Sequence, residues 1–307
     1  MKKNTFILTV CLLLSGLLIL NSCSSVMNIA GAAAEAVGSA GIVDPNIASS
    51  VSSSAAAIGK AAETVTPEQE YYIGRAVAGN ILENYKVFDS AKAQKYLNEI
   101  CNTVAINSDR PVLYKNYRVA ILDTDEVNAF ATSGGHIMVS RGLISCAHSE
   151  DELAAVLAHE ISHIQLRHSI KAIRSSRATD AVLKTAGAAL AVSVNSGELA
   201  GIVAGFDDTV NDIVSTMVNS GYSKKQEYEA DENALLLLKA AGYDPNAMRS
   251  MLELLKEKEK GQTTGFSKTH PSPEARMENL KGRYEKYSDN EARSIRTGRF
   301  DRVKEFL

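Results

Sequence analysis

The sequence lacks two features that would point to common kinds of site. It has four cysteines among 307 residues, and no two of them have the CxxC spacing of thiolate zinc sites or thioredoxin-like motifs. Basic residues are not in excess, because 33 lysines and arginines stand against 36 aspartates and glutamates. Nucleic-acid-binding proteins normally present a basic patch, so no nucleic-acid partner is indicated. With 45% hydrophobic and 22% charged residues, the composition is that of a globular protein.

The N-terminal segment has the pattern of an export signal. Two lysines at positions 2 and 3 precede an apolar core over residues 6–20, which predicts a secretory signal or a retained membrane anchor. The stretch LNSC that follows, residues 20–23, resembles the bacterial lipobox, in which signal peptidase cuts before a cysteine that is then lipidated. We therefore predict a signal peptide over residues 1–22 and lipidation of Cys23. A cysteine placed there by chance is the alternative.

The segment after Cys23 has a different composition from the rest of the chain. Up to residue 65 it consists mostly of Ala, Ser, Gly and Val, which predicts a tether over residues 23–65. A helix packed on the domain is the alternative, and the folded domain is expected to occupy residues 66–307. After export, Cys101 and Cys146 would remain. They can form a disulfide or stay as free buried thiols.

Periodicity and capping signals predict an α+β fold, mainly helical, with a small antiparallel sheet. Two β-prone runs, 128–132 and 136–140, flank Gly134 and Gly135 and predict a hairpin. Ser149 and Glu152 have the spacing of a capping box for the next helix. Residues 175–220 are rich in small residues and predict a mobile helical hairpin or lid. The remaining predicted segments are helices over 66–85, 90–106, 150–174, 222–241 and 245–260, a strand over 117–122, and a charged surface helix within 280–307.

One of these helices carries the sequence HEISH within an apolar run. His159 and His163 are four residues apart, so both imidazoles lie on one face of the helix and can reach one ion. Glu160 lies beside them, where it can take a proton from water bound to that ion. An accidental match is the alternative, but buried polar groups without a ligand would be penalised. His168 is expected at the surface and His148 in a loop.

A catalytic zinc site needs a third protein ligand, and a later helix offers one. In QEYEADENALLLLKAAG, Glu227 and Asp231 fall on the apolar stripe. Buried carboxylates require a cation or hydrogen-bond donors. Glu227 is therefore a candidate third ligand and Asp231 a candidate partner for a ligand histidine. Two half-exposed acids at the end of a helix are the alternative.

HEISH followed by EYEAD resembles the gluzincin peptidases, a family that includes the CAAX prenyl protease, HtpX, BepA and LoiP. The resemblance covers residues 66–280 and is closest in layout to LoiP-type periplasmic lipoprotein proteases. It implies a zincin-type protease domain in which the HEISH helix lies at the active site and Glu227 is the third zinc ligand. A downstream HPxxxxR motif of the family matches residues 270–276. It implies that His270 is a movable ligand or plug and that Arg276 anchors the site.

Two further stretches match the same family. They are NAFA, which comprises Asn128, Ala129, Phe130 and Ala131, and SRGL at residues 140–143. The resemblance implies that extended substrate adds as a strand along this edge of the sheet.

Together these features predict a zinc-dependent endopeptidase of the bacterial cell envelope that degrades misfolded or damaged envelope proteins. One Zn²⁺ is the expected cofactor, Glu160 the general base, and His270 or Arg276 the oxyanion donor. The expected partners are unfolded or misfolded polypeptides, the membrane through the N-terminal lipid, and envelope assembly machinery. The expected location is the outer membrane, facing the periplasm. The alternatives are an envelope chaperone or adaptor lipoprotein with a silent or structural zinc site, and a zinc hydrolase acting on a non-peptide substrate.

Overall fold

Helices bring the candidate residues together around a small sheet. The computed structural model describes residues 65–172, 210–211, 213–259, 265–284 and 287–306, which belong to one compact unit. The predicted signal peptide, lipidation site and tether lie outside the described residues, as does most of the predicted lid over 175–220. The elements are α1 (Pro67–Leu82), α2 (Ala91–Ala105), β1 (Arg118–Leu122), β2 (Ala129–Thr132), β3 (His136–Ser140), α3 (Arg141–Ile144), α4 (Glu150–Gln165), α5 (Lys224–Ala240), α6 (Ala247–Glu259), α7 (Gly265–Thr269), α8 (Pro273–Asn279) and α9 (Asn290–Val303).

The predicted helix starts are confirmed by their caps. The hydroxyl of Thr66 accepts from the backbone N–H of Gln69, whose side chain bonds back in a capping box. Ser149 caps α4 by accepting from the N–H of Glu152. The carboxylate of Glu152 accepts from the N–H of His148 at 2.6 Å, one residue before the position expected for a capping box.

The prediction that α4 continues to residue 174 is wrong. The helix ends at Gln165, and a new helical turn begins at residue 168. Between them Arg167 has φ 56°, in the left-handed region, which redirects the chain. The guanidinium of Arg167 bonds the carbonyl of Val65 at 2.8 Å and the buried carboxylate of Glu70 at 2.5 Å, and these contacts hold the reversal.

The sheet is mixed rather than antiparallel as predicted. Its order is β1-β3-β2, in which β2 and β3 form the predicted hairpin while β1 pairs with β3 in parallel. Sequence alone reveals the hairpin turn but not which strand covers the other side of β3. Residues 86–88 cover the outer side of β1, through a bridge between Val87 and Leu122. In the described part of the chain, β2 is therefore the edge without a paired strand.

The predicted charged surface helix is confirmed as α9, which is mostly exposed and docks on the body through a few buried side chains. Its Arg296 forms two hydrogen bonds of 2.9 Å to the buried Asp151 at the start of α4. Glu150, fully buried beside it, accepts from Tyr96 and Tyr243 and pairs with Arg299 of α9. Buried acids of the first turn of α4 thus hold the C-terminal helix against α4.

Cys101 and Cys146 are free and buried in this structure. Burial raises the pKa of the Cys101 thiol to about 12. Among the described residues, none of the helices combines the length and apolar character that a bilayer span requires.

Helix α1 packs directly against the turn of the β2–β3 hairpin. A Cβ at Gly74 would lie 1.6 Å from the carbonyl oxygen of Ser133, whereas a Cβ at Gly79 on the same helix would meet nothing within 4 Å. The backbone carbonyl of Gly74 also accepts from the hydroxyl of Thr132 at 2.9 Å. This close approach positions β2 and therefore one wall of the candidate site.

Gly74→Ala is expected to lower the free energy of unfolding by about 1–3 kcal/mol, because the methyl group forces α1 away from the hairpin. Gly79→Ala is the matched control and is expected to raise it by roughly 0.5–1 kcal/mol, since alanine is the better helix former. Urea unfolding of the two variants measures both changes. Equal effects at the two positions would contradict the close packing of α1 on the hairpin.

Candidate metal centre

Helix α4 carries the HEISH residues into the interior. Every residue from Glu150 to Gln165 is buried, because the apolar positions of the helix contact α2, β2, α5 and α6. His159 and His163 face the same point, with their Nε2 atoms 3.1 Å apart. Two ring nitrogens at this distance need a hydrogen between them or a cation beside them.

Two residues from later segments complete the cluster. Glu227, in the first turn of α5, lies 3.6 Å from Nε2 of His159 through Oε2 and 3.4 Å from Nε2 of His163 through Oε1. His270, just after α7, places Nδ1 2.5 Å from Oε2 of Glu227. One potential ligand atom from each of the four residues lies within 4.8 Å of the others. The residues predicted from HEISH, from EYEAD and from the HP motif thus meet at one point.

The donor set suits a zinc ion. Glu227 is fully buried, and its Oε1 atom has no hydrogen-bond partner. Burial favours a neutral acid, but His270 and His163 outweigh it and lower the pKa of Glu227 well below its ordinary value. An ionised carboxylate there requires a positive charge, either a proton on an imidazole or a metal ion in the same place. Imidazole nitrogen and carboxylate oxygen are zinc's usual ligands in hydrolases.

A buried pair of charges orients His159. Oδ1 of Asp231 lies 2.9 Å from Nδ1 of His159, and Arg276 holds the same carboxylate through Nε at 2.9 Å and Nη2 at 2.6 Å. Burial raises the pKa of Asp231, but Arg276 outweighs it and lowers that pKa. An ionised carboxylate can only accept, so Nδ1 of His159 carries a hydrogen, and Nε2 is the atom that would bind a metal ion in the cluster.

His168 was predicted at the surface, and this prediction is wrong. It is fully buried, and its Nδ1 lies 2.9 Å from Nδ1 of His163. The chain reversal at Arg167 brings it back under the cluster, whereas a continuous helix would turn it roughly 140° away from His163. Tyr222 stacks on His163 at 4.6 Å between ring centroids and was also missed. The only sequence signal for either residue is its closeness to a motif. The loop prediction for His148 is confirmed.

Glu160 opens onto a pocket beside the sheet edge. The residues that line the pocket include Ala129, Phe130 and Ala131 of β2 as well as Glu160 and His270. Glu160 is 3% exposed, and its Oε1 has no hydrogen-bond partner. Burial raises its pKa. A carboxylate of this kind is suited to exchange a proton with a group in the pocket.

The fourth residue of NAFA has a different position. Asn128 lies just before β2, where its N–H donates to Oγ of Ser140 and its carbonyl accepts from the N–H of Ser140, both at 3.0 Å. Its side-chain Oδ1 accepts from the N–H of Ala129 at 2.9 Å. Asn128 therefore closes the hairpin and fixes the start of β2, and it has no backbone group left for a new strand.

His270 is supported from two sides. Its ring stacks on that of Phe266 with centroids 4.0 Å apart. The backbone N–H of His270 donates to the backbone carbonyl of Phe266 at 3.0 Å. Gly221, before α5, has φ 71° and approaches the carbonyl of Thr269 so closely that a Cβ would lie 1.9 Å from it. These contacts bring the HPxxxxR motif, residues 270–276, and the start of α5 together.

Comparisons of the sequence with known proteins identify relatives that are peptidases. The sequence model of a family described as Peptidase family M48 matches residues 91–284. Metalloprotease LoiP of Escherichia coli K12 is 30% identical over 62% of this chain and 69% of its own length. A putative beta-barrel assembly-enhancing protease of Vibrio cholerae is 28% identical over 74% of this chain and 46% of its own.

A eukaryotic relative matches as well. The mitochondrial metalloendopeptidase OMA1 of Schizosaccharomyces pombe is 34% identical over 50% of this chain and 42% of its own length. The chain thus spans less than half of the Vibrio and Schizosaccharomyces proteins. The match to the family model and the match to LoiP each cover enough to decide the relationship. This chain belongs to peptidase family M48.

Proposed function

We propose that this chain is a zinc-dependent endopeptidase that cleaves extended segments of unfolded polypeptides. The observation that carries the proposal is the convergence of His159, His163, Glu227 and His270 beside Glu160, whose free oxygen borders the pocket along β2. His159, His163 and Glu227 would hold one zinc ion. When bound, zinc lowers the pKa of water and polarises the carbonyl of the scissile bond.

Glu160 would act as general base and then as general acid. Its buried carboxylate faces the pocket and has an oxygen without a partner. It would take the proton of the attacking water and deliver it to the leaving amine. Arg276, bound to Asp231 through two nitrogens, would hold His159 in place. His270 lies at a fourth ligand position and would have to withdraw, because a catalytic zinc needs an open place.

The free edge of β2 would bind substrate by strand addition. Ser140 donates its N–H to Asn128, so alternation along the antiparallel pair turns the backbone groups of Ala129 and Ala131 outwards. The N–H of Ala129 is used by Asn128. The N–H and carbonyl of Ala131 and the carbonyl of Ala129 are therefore the groups offered to a substrate strand. Main-chain bonding of this kind favours unfolded segments over particular side chains.

We further propose a location in the bacterial envelope with an N-terminal lipid anchor on Cys23. The proposal is supported by the lipobox-like stretch at residues 20–23 and by the export signal before it. The relatives named for enhancing the assembly of β-barrels make envelope assembly machinery a candidate partner.

The metal site predicts one zinc ion per purified chain. Glu227→Ala is expected to abolish retention of zinc during dialysis, because it removes the carboxylate of the cluster. Inductively coupled plasma mass spectrometry measures the content. Glu253→Ala, which removes an exposed carboxylate of α6, is the control and should retain the metal. A wild-type protein that binds no zinc would overturn the proposal.

The role of Glu160 predicts that Glu160→Gln lowers kcat for an unfolded substrate such as casein by about 100-fold or more while zinc content is unchanged. Glu253→Gln serves as the control and should keep wild-type activity. Full, chelator-sensitive cleavage by Glu160→Gln would contradict the mechanism. Loss of cleavage with unchanged protection of substrates in cells would instead support the chaperone or adaptor alternative.

The anchor predicts that Cys23→Ser moves the protein from the membrane fraction to the soluble periplasmic fraction, because it removes the lipidated thiol. Immunoblotting of fractionated cells measures the change. Cys11→Ser, within the predicted signal, is the matched control and should leave the protein in the membrane fraction. A Cys23→Ser protein that stays with the membrane would favour a retained N-terminal anchor.

A further inference from the structure

The two ligand histidines differ in how their outer nitrogens are supported. Nδ1 of His159 bonds the carboxylate of Asp231 at 2.9 Å, which fixes its hydrogen on that atom. Among the described residues, none places a carboxylate at hydrogen-bond distance from Nδ1 of His163. That atom lies 2.9 Å from Nδ1 of His168 instead, and one of these two nitrogens must carry the hydrogen that lies between them.

The direction of this hydrogen bond decides whether His163 can bind a metal. If Nδ1 of His163 donates, its Nε2 lone pair faces His159 and Glu227, 3.1 and 3.4 Å away. If Nδ1 of His168 donates, the hydrogen of a neutral His163 must be on Nε2, where it blocks the ligand atom. The tautomer of His168 therefore selects the tautomer of His163.

The surroundings of His168 favour the first direction. Its Nε2 atom lies 3.5 Å from Oε2 of Glu229, a carboxylate that is 40% exposed and can only accept. The pair lacks hydrogen-bond geometry, but a hydrogen on Nε2 of His168 is favoured by the negative charge of this carboxylate and leaves Nδ1 free to accept from His163. The opposite tautomer would set a lone pair against the carboxylate oxygen.

We propose that His168 and Glu229 are positioning residues that hold His163 in its metal-binding tautomer, as Asp231 does for His159. In this arrangement Nδ1 of His163 donates to Nδ1 of His168, and the charge of Glu229 acts on the far side of the His168 ring; no proton is transferred. This inference rests on the proposed zinc site, but it makes a separate statement about histidine tautomers. Partners of this kind typically contribute about 10- to 100-fold to metal affinity.

The first test measures zinc affinity by competition with a chromogenic chelator. His168→Phe keeps a ring but removes the acceptor, and it is expected to weaken zinc binding by about 10- to 100-fold. His168→Asn can place an amide oxygen near the same point and should recover most of the affinity. Glu229→Leu should cause a smaller loss, because water can replace a carboxylate that is 40% exposed.

Controls separate positioning from folding. His148→Phe makes the same substitution at an exposed histidine and should leave zinc affinity unchanged. The melting temperature of each metal-free variant reports whether the fold is intact. If folded His168→Phe binds zinc as tightly as the wild-type protein, the proposal is overturned.

The second test does not need the bound metal. Nitrogen-15 NMR of the full chain, with His168 assigned by the signal lost in His168→Asn, distinguishes its two tautomers. We expect the hydrogen on Nε2, and a hydrogen on Nδ1 would overturn the proposal. A wild-type chain that binds no zinc would overturn the proposed function, whereas the tautomer of His168 would still decide this inference.

Discussion

The candidate site depends on one buried charge. Glu227 is fully buried and held ionised by the imidazoles around it. A buried carboxylate without a compensating cation costs several kcal/mol, so the ionised form of Glu227 requires positive charge beside it. HEISH and His270 belong to segments far apart in sequence, and they meet at this carboxylate. A metal ion and a proton compete for the same place, which couples occupancy of the site to stability.

The chain reversal after α4 shows how residues outside the cluster position a histidine beside it. Arg167 adopts a left-handed conformation, which costs a non-glycine residue about 1–3 kcal/mol and persists only where other contacts over-determine it. Glu70 supplies such a contact at 2.5 Å and is itself held by Arg110 at 2.9 Å. The ion pairs of Glu70 with Arg110 and Arg167 therefore fix the chain reversal that brings His168 next to His163. Local strain at one residue is offset by an ion-pair network that lies away from the pocket.

Sequence reasoning predicted the parts of the site that follow helical periodicity. HEISH and the spacing of Glu227 and Asp231 depend only on positions along two helices, and their convergence was expected. His168 was not, because no glycine or proline marks the break at Arg167. The parallel pairing of β1 with β3 was missed for a related reason, since pairing between strands that are not consecutive leaves no local pattern. The docking of α9 through Arg296 depends equally on a distant partner, Asp151.

Helix α5 carries the carboxylates that lie behind both histidines of HEISH. It carries Glu227 at the cluster, Asp231 behind His159, and Glu229 near His168. Residues four apart share a helical face, whereas Glu229 lies roughly 200° around the axis from Glu227. It can support the site only because His168 lies beside the helix and connects the two. A rotation of α5 that improved one of these contacts would weaken the others, so one helix orientation must satisfy all three carboxylates. The capping box at Ser223 and the close approach of Gly221 to Thr269 fix where this helix begins, and the start of α5 is therefore a structural determinant of the metal centre.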